Sequence, residues 1–265
     1  MKKIILLITL FIIHFSLFTS FAQGVYIEYK ITTGEGKESM SGNSKTYNQD
    51  GNSRSEMQMN VPGLPAGAIN TITITRQDKP NTLITLNPGN KTYSEMSYDA
   101  AQPEEKKSTE QYEITVVGKE KVNGYNSTHI IAKFKNSGKV RNEWWTSNEV
   151  PGFSGFKGMK GSKYLDDDDF FSKMAEKGAD GFPVRMKMSE AGAGIFQMDL
   201  VKAEKKNNPV SLFEIPAAYT KAATIDMSTM PKSMEDMKNM TPEQQKKMME
   251  DLMKMYGGQA PADKP

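Results

Sequence analysis

The chain of 265 residues contains no cysteine and only two histidines. Without thiols it can form no disulfide, thiolate nucleophile, iron–sulfur cluster or cysteine zinc site. His14 lies in an apolar N-terminal segment, which leaves His129 as the only histidine of the remaining chain. Most hydrolytic triads and imidazole metal sites are therefore excluded, and no phosphate-binding loop or nucleophile elbow is present. The sequence predicts a protein that is not an enzyme and that needs no cofactor.

An excess of charge of either sign is also missing. Lys2 and Lys3 account for the whole formal net charge of +2, so the rest of the chain is neutral. Nucleic-acid-binding surfaces carry a clustered excess of lysine and arginine. The sequence therefore predicts no nucleic-acid partner.

The N-terminus carries the features of a signal peptide over residues 1–22. Two lysines precede the apolar run Ile4–Phe18, and the small residues Ser20 and Ala22 then predict cleavage between Ala22 and Gln23. The alternative is an uncleaved membrane anchor, but a spanning helix needs about 20 apolar residues. No cysteine follows the run to carry a lipid. We expect an exported protein, periplasmic or fully secreted, that is not a lipoprotein and keeps no transmembrane anchor after processing.

The body of the chain, residues 23–225, alternates apolar and polar residues with a period of two. In Val25–Ile31 every second residue is apolar, while Glu28 and Lys30 occupy alternate positions. This pattern is typical of a strand with one solvated face. The same alternation recurs in residues 56–59, 71–74, 130–135, 185–188 and 196–200.

Tight-turn sequences separate these runs. Asp50-Gly51 and Asn123-Gly124 favour the positive φ angles of hairpin turns, and residues 87–90 are a further turn sequence. The pattern predicts about ten strands, without the alternation of strand and helix that indicates a parallel sheet. A sheet of this size curls. We therefore predict a mainly β fold with a single strongly curved antiparallel sheet, a half-barrel.

Three segments interrupt the strands. Residues 99–110 are polar and are predicted to form a mobile loop, and residues 151–163 are glycine-rich and are predicted to form a lid or a turn. Residues 166–177 predict a short internal helix that begins with four aspartates, Asp166–Asp169, where negative charge meets the positive end of the helix dipole. Calcium binding is the alternative role of these aspartates, but the glycine and glutamate of an EF-hand are missing.

Residues 226–256 are predicted to form a separate, methionine-rich helical tail, followed by a disordered end at residues 257–265. Thr241 and the next residues have the pattern of a helix start, and apolar residues then recur at helical spacing. The methionine stripe either packs against protein or binds Cu(I) through its thioethers. Its helical spacing and the absence of a nearby histidine favour packing or partner docking. The candidate copper ligands are Met230, Met234 and Met237.

Several segments together resemble an uncharacterised exported bacterial family that is named only as a domain of unknown function. They are Gly24–Lys30, Val122–His129, Glu143–Thr146 with Val150–Gly152, and Phe213–Tyr219. Members of that family look similar in fold to lipoprotein carriers and receptors of the LolA, LolB and LppX type. The resemblance implies an antiparallel half-barrel with an apolar concavity that holds acyl chains, partly covered by helices.

Two adjacent tryptophans are the first candidates for lining such a concavity. Trp144 and Trp145 lie on opposite faces of their predicted strand, so one of them can face a hollow. The alternative is that both fill an ordinary core, as large aromatic residues often do. The full set of ligand-lining candidates is Trp144, Trp145, Phe153, Phe156, Met57, Met59, Met186 and Met188.

These observations predict an exported, non-catalytic protein that carries or senses a lipid or another apolar ligand in the cell envelope. An envelope interaction protein that docks a protein partner through its helical tail is the alternative, and Cu(I) buffering by the tail is a further one. His129 is interpreted as a surface residue, because a general base needs an orienting partner.

Overall fold

In a computed structural model the chain forms one large sheet. Residues 1–22, predicted to be a signal peptide, residues 99–110, predicted to be a loop, Phe153, Phe156 and nearly all of the predicted tail 226–256 lie outside the described residues. The structure describes residues 24–34, 39–62, 67, 69–97, 112–135, 138, 140–150, 173–190, 194–222, 241 and 243.

Twelve β-strands, one short 3₁₀ helix and the helical residues 173–176 make up the regular structure of the described residues. The strands are β1 (Val25–Thr33), β2 (Met40–Gln49), β3 (Asn52–Asn60), β4 (Ile69–Arg76), β5 (Lys79–Asn87), β6 (Thr92–Ser97), β7 (Tyr112–Val122), β8 (Tyr125–Phe134), β9 (Val140–Ser147), β10 (Phe182–Glu190), β11 (Gly194–Lys205) and β12 (Thr220–Lys221). The 3₁₀ helix spans Val210–Phe213.

The strands follow the order β12-β6-β5-β4-β3-β2-β1-β11-β10-β9-β8-β7 in a single curved sheet. An N-terminal arm, β2–β6, extends from one side of β1, and a C-terminal arm, β7–β11, extends from the other. Neighbours pair antiparallel, except that β12 pairs parallel with β6. In the described part of the chain β7 and β12 form open edges. The prediction of a single, curved, largely antiparallel sheet is confirmed.

Two-residue turns connect the hairpins where the sequence predicted them. Gln49 pairs with Asn52, and Asp50 and Gly51 between them have φ of 48° and 74°. The β7–β8 turn repeats this geometry at Asn123 and Gly124, with φ of 50° and 89°. Asparagine, aspartate and glycine tolerate this left-handed region, which matches the twist of the flanking strands.

The two faces of the sheet have different environments. We call the face that carries Val25, Ile27, Tyr29 and Ile31 of β1 the inner face, and the opposite one the outer face. The main apolar cluster includes these four residues and apolar residues of β3, β10 and β11. A second cluster lies on the outer face of the N-terminal arm, where the chain around Phe213 covers it. The β4 and β5 members of this cluster are Ile72, Ile74, Ile84 and Leu86.

A short helical segment lies against the inner face of the C-terminal arm. Residues 173–176 are helical and agree with the end of the helix predicted at 166–177, whose earlier part lies outside the described residues. Gly178, with φ of 66°, follows the helical residues. Met174 is fully buried against Ile114 and Ile130. No helix in the described ranges is long and apolar enough to cross a membrane.

Candidate ligand-binding face

One continuous row of apolar side chains crosses the inner face from β8 to β4. Each member lies directly opposite the next in the strand pairing, so their side chains share one face. At a strand spacing of about 4.8 Å, eight strands give the row a length of about 34 Å along the sheet. We call it the apolar row. Its members are Ile130, Trp144, Met186, Met198, Ile31, Gly42, Met59 and Ile69.

Gly42 occupies the one position of the row without a side chain, and Met59 fills the space. A Cβ added at Gly42 would meet the carbonyl oxygen of Gln58 and the sulfur of Met59. The close approach of β3 to β2 at this point therefore requires glycine. Met59 is fully buried as a result.

The methionines predicted to line a ligand site lie on the inner face. Met59 and Met186 belong to the apolar row. Met57 precedes Met59 by two residues on β3, where it pairs with Ser44 of β2 and Thr71 of β4. Met188 lies opposite Phe196 and is half-buried, whereas the other three are buried. Strand pairing thus brings the four methionines to the same face from two distant parts of the sequence.

Trp144 joins the two apolar clusters of the inner face. It packs against the main cluster and against the small cluster that contains Met174 and Ala179. Its neighbours in the strand pairing are Ile130 and Met186. Unlike most of the row, Trp144 is half-buried. It therefore marks a place where the packed inner face is accessible.

Trp145 lies on the outer face, so the two tryptophans point in opposite directions as the sequence predicted. It pairs with Arg185, and its indole nitrogen donates a hydrogen bond of 2.6 Å to Oε1 of Glu120. The Lys187 ammonium lies 5.3 Å from the ring centroid, within the range of a cation–π contact. Trp145 is 5% exposed and does not line the inner face.

His129 is more enclosed than the sequence indicated. The interpretation as a surface residue was wrong, because its side chain is only 13% exposed and stacks on Trp145 with ring centroids 4.1 Å apart. Its Nδ1 lies 3.4 Å from Glu120, and its Nε2 lies 3.3 Å from Glu143. These partners come from β7 and β9, so sequence proximity could not reveal them. The group holds the imidazole in a packed polar cluster on the outer face.

Asp199 anchors the other side of this outer-face cluster. Its carboxylate accepts hydrogen bonds from Gln197 at 2.5 Å, from Asn123 at 3.1 Å and from Arg185 at 2.6 Å. Burial raises the pKa of Asp199, but these hydrogen bonds and the Arg185 charge outweigh it and hold the pKa below its ordinary value. The β7–β8 turn, through Asn123, is thereby tied to β10 and β11.

The inner face of the N-terminal arm is polar instead of apolar beside the row. Seven small polar residues of β2, β3 and β4 are buried there, each at most 5% exposed, and we call them the polar patch. The patch consists of Ser44, Thr46, Asn48, Ser53, Ser55, Thr71 and Thr73. It borders Val25, Ile27 and Tyr29 of β1 through the β1–β2 pairing.

Several polar atoms of this patch have no hydrogen-bond partner in the described structure. They are both amide atoms of Asn48 and the hydroxyls of Ser53, Thr71 and Thr73. A buried polar group without a partner costs about 1–3 kcal/mol. Most buried side-chain polar atoms in proteins have a hydrogen-bond partner. The unpartnered atoms of the polar patch therefore indicate that the patch contributes something other than stability.

Two clefts formed by described residues are small. One, of about 220 Å³, is lined by residues that include Asn126, Thr146 and Glu149, and another, of about 200 Å³, by Arg76 and Asp78 among others. Pockets for drug-sized ligands span about 300–1,000 Å³, and neither cleft includes a methionine or tryptophan. Within the described ranges no group of three or more histidine, aspartate or glutamate side chains is arranged around a metal position.

Residues 26–219 match the family described as Domain of unknown function (DUF4412). Because this match covers more than half of the chain, the chain belongs to that family. No curated protein matches the chain.

Solved structures with similar sheets include an uncharacterized conserved protein from Thermus thermophilus, at 10% identity over 81% of this chain and 99% of that chain, with a TM-score of 0.43. A LolA superfamily protein from Nitrosomonas europaea has 10% identity over 72% and 90% of the two chains and a TM-score of 0.31. A putative outer membrane lipoprotein-sorting protein domain from Vibrio parahaemolyticus has 10% identity over 71% and 87%, with a TM-score of 0.27. All three TM-scores are below 0.5, so function is inferred from this chain's own geometry.

Proposed function

We propose that the protein is an exported, non-catalytic carrier or sensor that binds a lipid or another apolar ligand along its inner face. The apolar row is the observation that supports this most directly. It crosses eight strands of a sheet whose edges are open in the described part of the chain. An apolar row of this length suits an extended acyl chain better than a compact ligand. The signal-peptide pattern of residues 1–22 supports export to the envelope.

The composition of the row supports an exchangeable contact. Methionine is unbranched and polarizable, so it packs adaptably against ligands of different shape. Three of the eight positions are methionines, Met59, Met186 and Met198, and Met57 and Met188 flank them. Because these side chains are packed in the ligand-free protein, an incoming chain must replace contacts between side chains.

Trp144 is the proposed point of access. It is half-buried, and the small cluster around Met174 and Ala179 meets the main cluster at its ring. The small cluster buries less apolar area than the main cluster, so separating the Met174 segment from the sheet costs less free energy. Displacement of the Met174 segment would lengthen the exposed part of the apolar row next to Trp144.

The presence of only two tryptophans allows a direct test. The Trp145→Phe variant keeps Trp144 as its single fluorophore, and the Trp144→Phe variant keeps Trp145. We expect dibromostearate, which quenches indole fluorescence at short range, to quench the first variant saturably and to leave the second nearly unchanged. A hydrophobic fluorescent dye should bind both variants and be displaced by unbrominated stearate.

Equal quenching of the two variants would contradict binding on the inner face. Absence of saturable dye binding by the wild-type protein would contradict the carrier proposal itself. Thermal unfolding of both variants checks that each retains a folded sheet, which matters because Trp145 is 5% exposed and packed.

A further inference from the structure

The polar patch and the apolar row lie side by side, and together they make the packed inner face amphipathic. Met57 connects them, because it pairs with Ser44 and Thr71 of the patch and precedes Met59 of the row by two residues. A ligand that extends along the row in the N-terminal arm therefore meets the patch at its side. A purely apolar ligand would leave the polar atoms of the patch without partners.

The patch offers hydrogen bonds but no charge. Its members are serine, threonine and asparagine, and their partners on β1 are Val25, Ile27 and Tyr29. The charged residues of β3 lie at alternate positions on the outer face, where Arg54 pairs with Glu56 at 2.7 Å. An anionic head group on the patch would therefore have no counter-charge among its described neighbours.

The unpartnered atoms indicate which ligand groups would fit. The hydroxyls of Ser53, Thr71 and Thr73 both donate and accept, and the Asn48 amide offers a donor and an acceptor. Thr73 lies opposite Ser55, and Asn48 lies opposite Ser53, so these groups form a continuous area across β2, β3 and β4. Hydroxyl, ester and ether oxygens of an uncharged head group match this set.

We infer that the ligand is a neutral amphiphile, whose apolar chain lies along the apolar row and whose uncharged, oxygen-bearing head hydrogen-bonds to the polar patch. This inference rests on the proposed carrier function and specifies its ligand class. Acylglycerols and glycosylated lipids match both the apolar row and the polar patch, whereas fatty-acid anions and anionic phospholipids match the row alone.

The test removes two hydroxyls without changing side-chain shape. In the Thr71→Val/Thr73→Val variant we expect the affinity for 1-palmitoylglycerol, measured by displacement of a bound hydrophobic dye, to fall roughly ten- to thirtyfold. The affinity for hexadecanesulfonate, which has the same chain length but a permanent negative charge, should change less than about twofold. The ligand-free variant should unfold about 2–12 °C higher per unpartnered hydroxyl removed.

Matched variants separate the hydrogen bonds from packing effects. Thr71→Ser/Thr73→Ser keeps both hydroxyls and should restore most of the affinity for 1-palmitoylglycerol. Thr115→Val changes an exposed threonine on β7 and should have no effect on either ligand. Ser53→Ala removes a third unpartnered hydroxyl and provides an independent variant should the threonine pair fail to fold.

The outcomes distinguish this inference from the carrier proposal. If the dye binds but the valine variant binds 1-palmitoylglycerol as the wild type does, the inference is wrong and the carrier proposal stands. Equal weakening for 1-palmitoylglycerol and hexadecanesulfonate would also overturn the inference. If the wild-type protein binds neither dye nor amphiphile saturably, both proposals are wrong.

Discussion

Away from the apolar row, the two arms of the sheet differ in which face carries most of their apolar residues. In the C-terminal arm the inner face is apolar, and the outer face carries the cluster of His129, Trp145 and Asp199. In the N-terminal arm Ile72 and Ile74 point outward beneath Phe213, while threonines of the same strand point inward. Both arms alternate with a period of two. The period identifies which residues share a face, but what packs against each face decides which one is inside.

The largest expected effects come from removing one buried phenylalanine from each of the two larger apolar clusters. Phe182, 1% exposed, stacks on Tyr29 at the inner face, and Phe213, 2% exposed, covers the outer face of the N-terminal arm. We expect Phe182→Ala and Phe213→Ala each to lower the free energy of unfolding by about 3–5 kcal/mol in urea denaturation. Dye binding should weaken for Phe182→Ala alone, when both variants are measured well below their midpoints. Equal weakening would show that the two clusters are not functionally separate.

A smaller effect is expected where the N-terminal arm meets the apolar row. Gly42→Ala should lower the free energy of unfolding by about 1–3 kcal/mol, because its Cβ meets Gln58 and Met59. Gly118 lies on β7 in the other arm, and a Cβ there would meet no atom within 4 Å. Gly118→Ala should leave stability unchanged or raise it by less than about 1 kcal/mol. If Gly42→Ala is as stable as the wild type, β2 and β3 can move apart without lowering the free energy of unfolding.

The smallest effect compares two aspartate–arginine pairs, one in each arm. Asp199 is partly enclosed and bonded to Arg185, whereas Asp78 is exposed and bonded to Arg76. We expect Asp199→Asn to lower the free energy of unfolding at pH 7 by about 1–2 kcal/mol and Asp78→Asn to have no measurable effect. Both carboxyls have lowered pKa values in the folded protein.

The acid dependence of stability provides the check on Asp199. Folding lowers the pKa of Asp199. Its stabilising contribution to the free energy of unfolding is therefore complete above the pKa of the unfolded chain, near 4, and is lost as the pH falls through the pKa of the folded protein. The difference between wild type and Asp199→Asn should therefore shrink as the pH is lowered from 5 toward 2. A difference that is constant over this range would assign the effect to packing.

The sequence predicted the sheet where alternation and turn residues agree. Val25–Ile31 lies within β1, and the Asp50-Gly51 and Asn123-Gly124 turns formed as expected. The alternation runs did not single out β2, because it is largely polar, with Met40 and Tyr47 as its large apolar residues, and pairing with β1 and β3 supports it. Strand order joins residues that are distant in the chain, so local pattern could not predict the pairing of β1 with β11.

The members of the candidate site could be proposed one by one from the sequence, whereas the row that they form could not. Met57, Met59, Met186 and Trp144 were expected to lie near a ligand, and the register that aligns Met59, Ile31 and Met186 into one row is a property of the assembled sheet. The polar patch could not be predicted from the sequence for a different reason. Serine and threonine at alternate strand positions usually indicate a solvated face, and only burial distinguishes this one.

The central position of β1 has a consequence for how the chain reaches its folded state. Val25 lies opposite Lys205, so the first and eleventh strands must meet before the two arms become one sheet. Contacts of such wide sequence separation make folding slow. Until β11 has been synthesised, β1 is an unpaired edge that carries buried apolar residues, the kind of edge that associates with other chains. A newly made copy is therefore most prone to aggregation while β11 is missing, and a chaperone that holds the first arm extended would protect it at that stage.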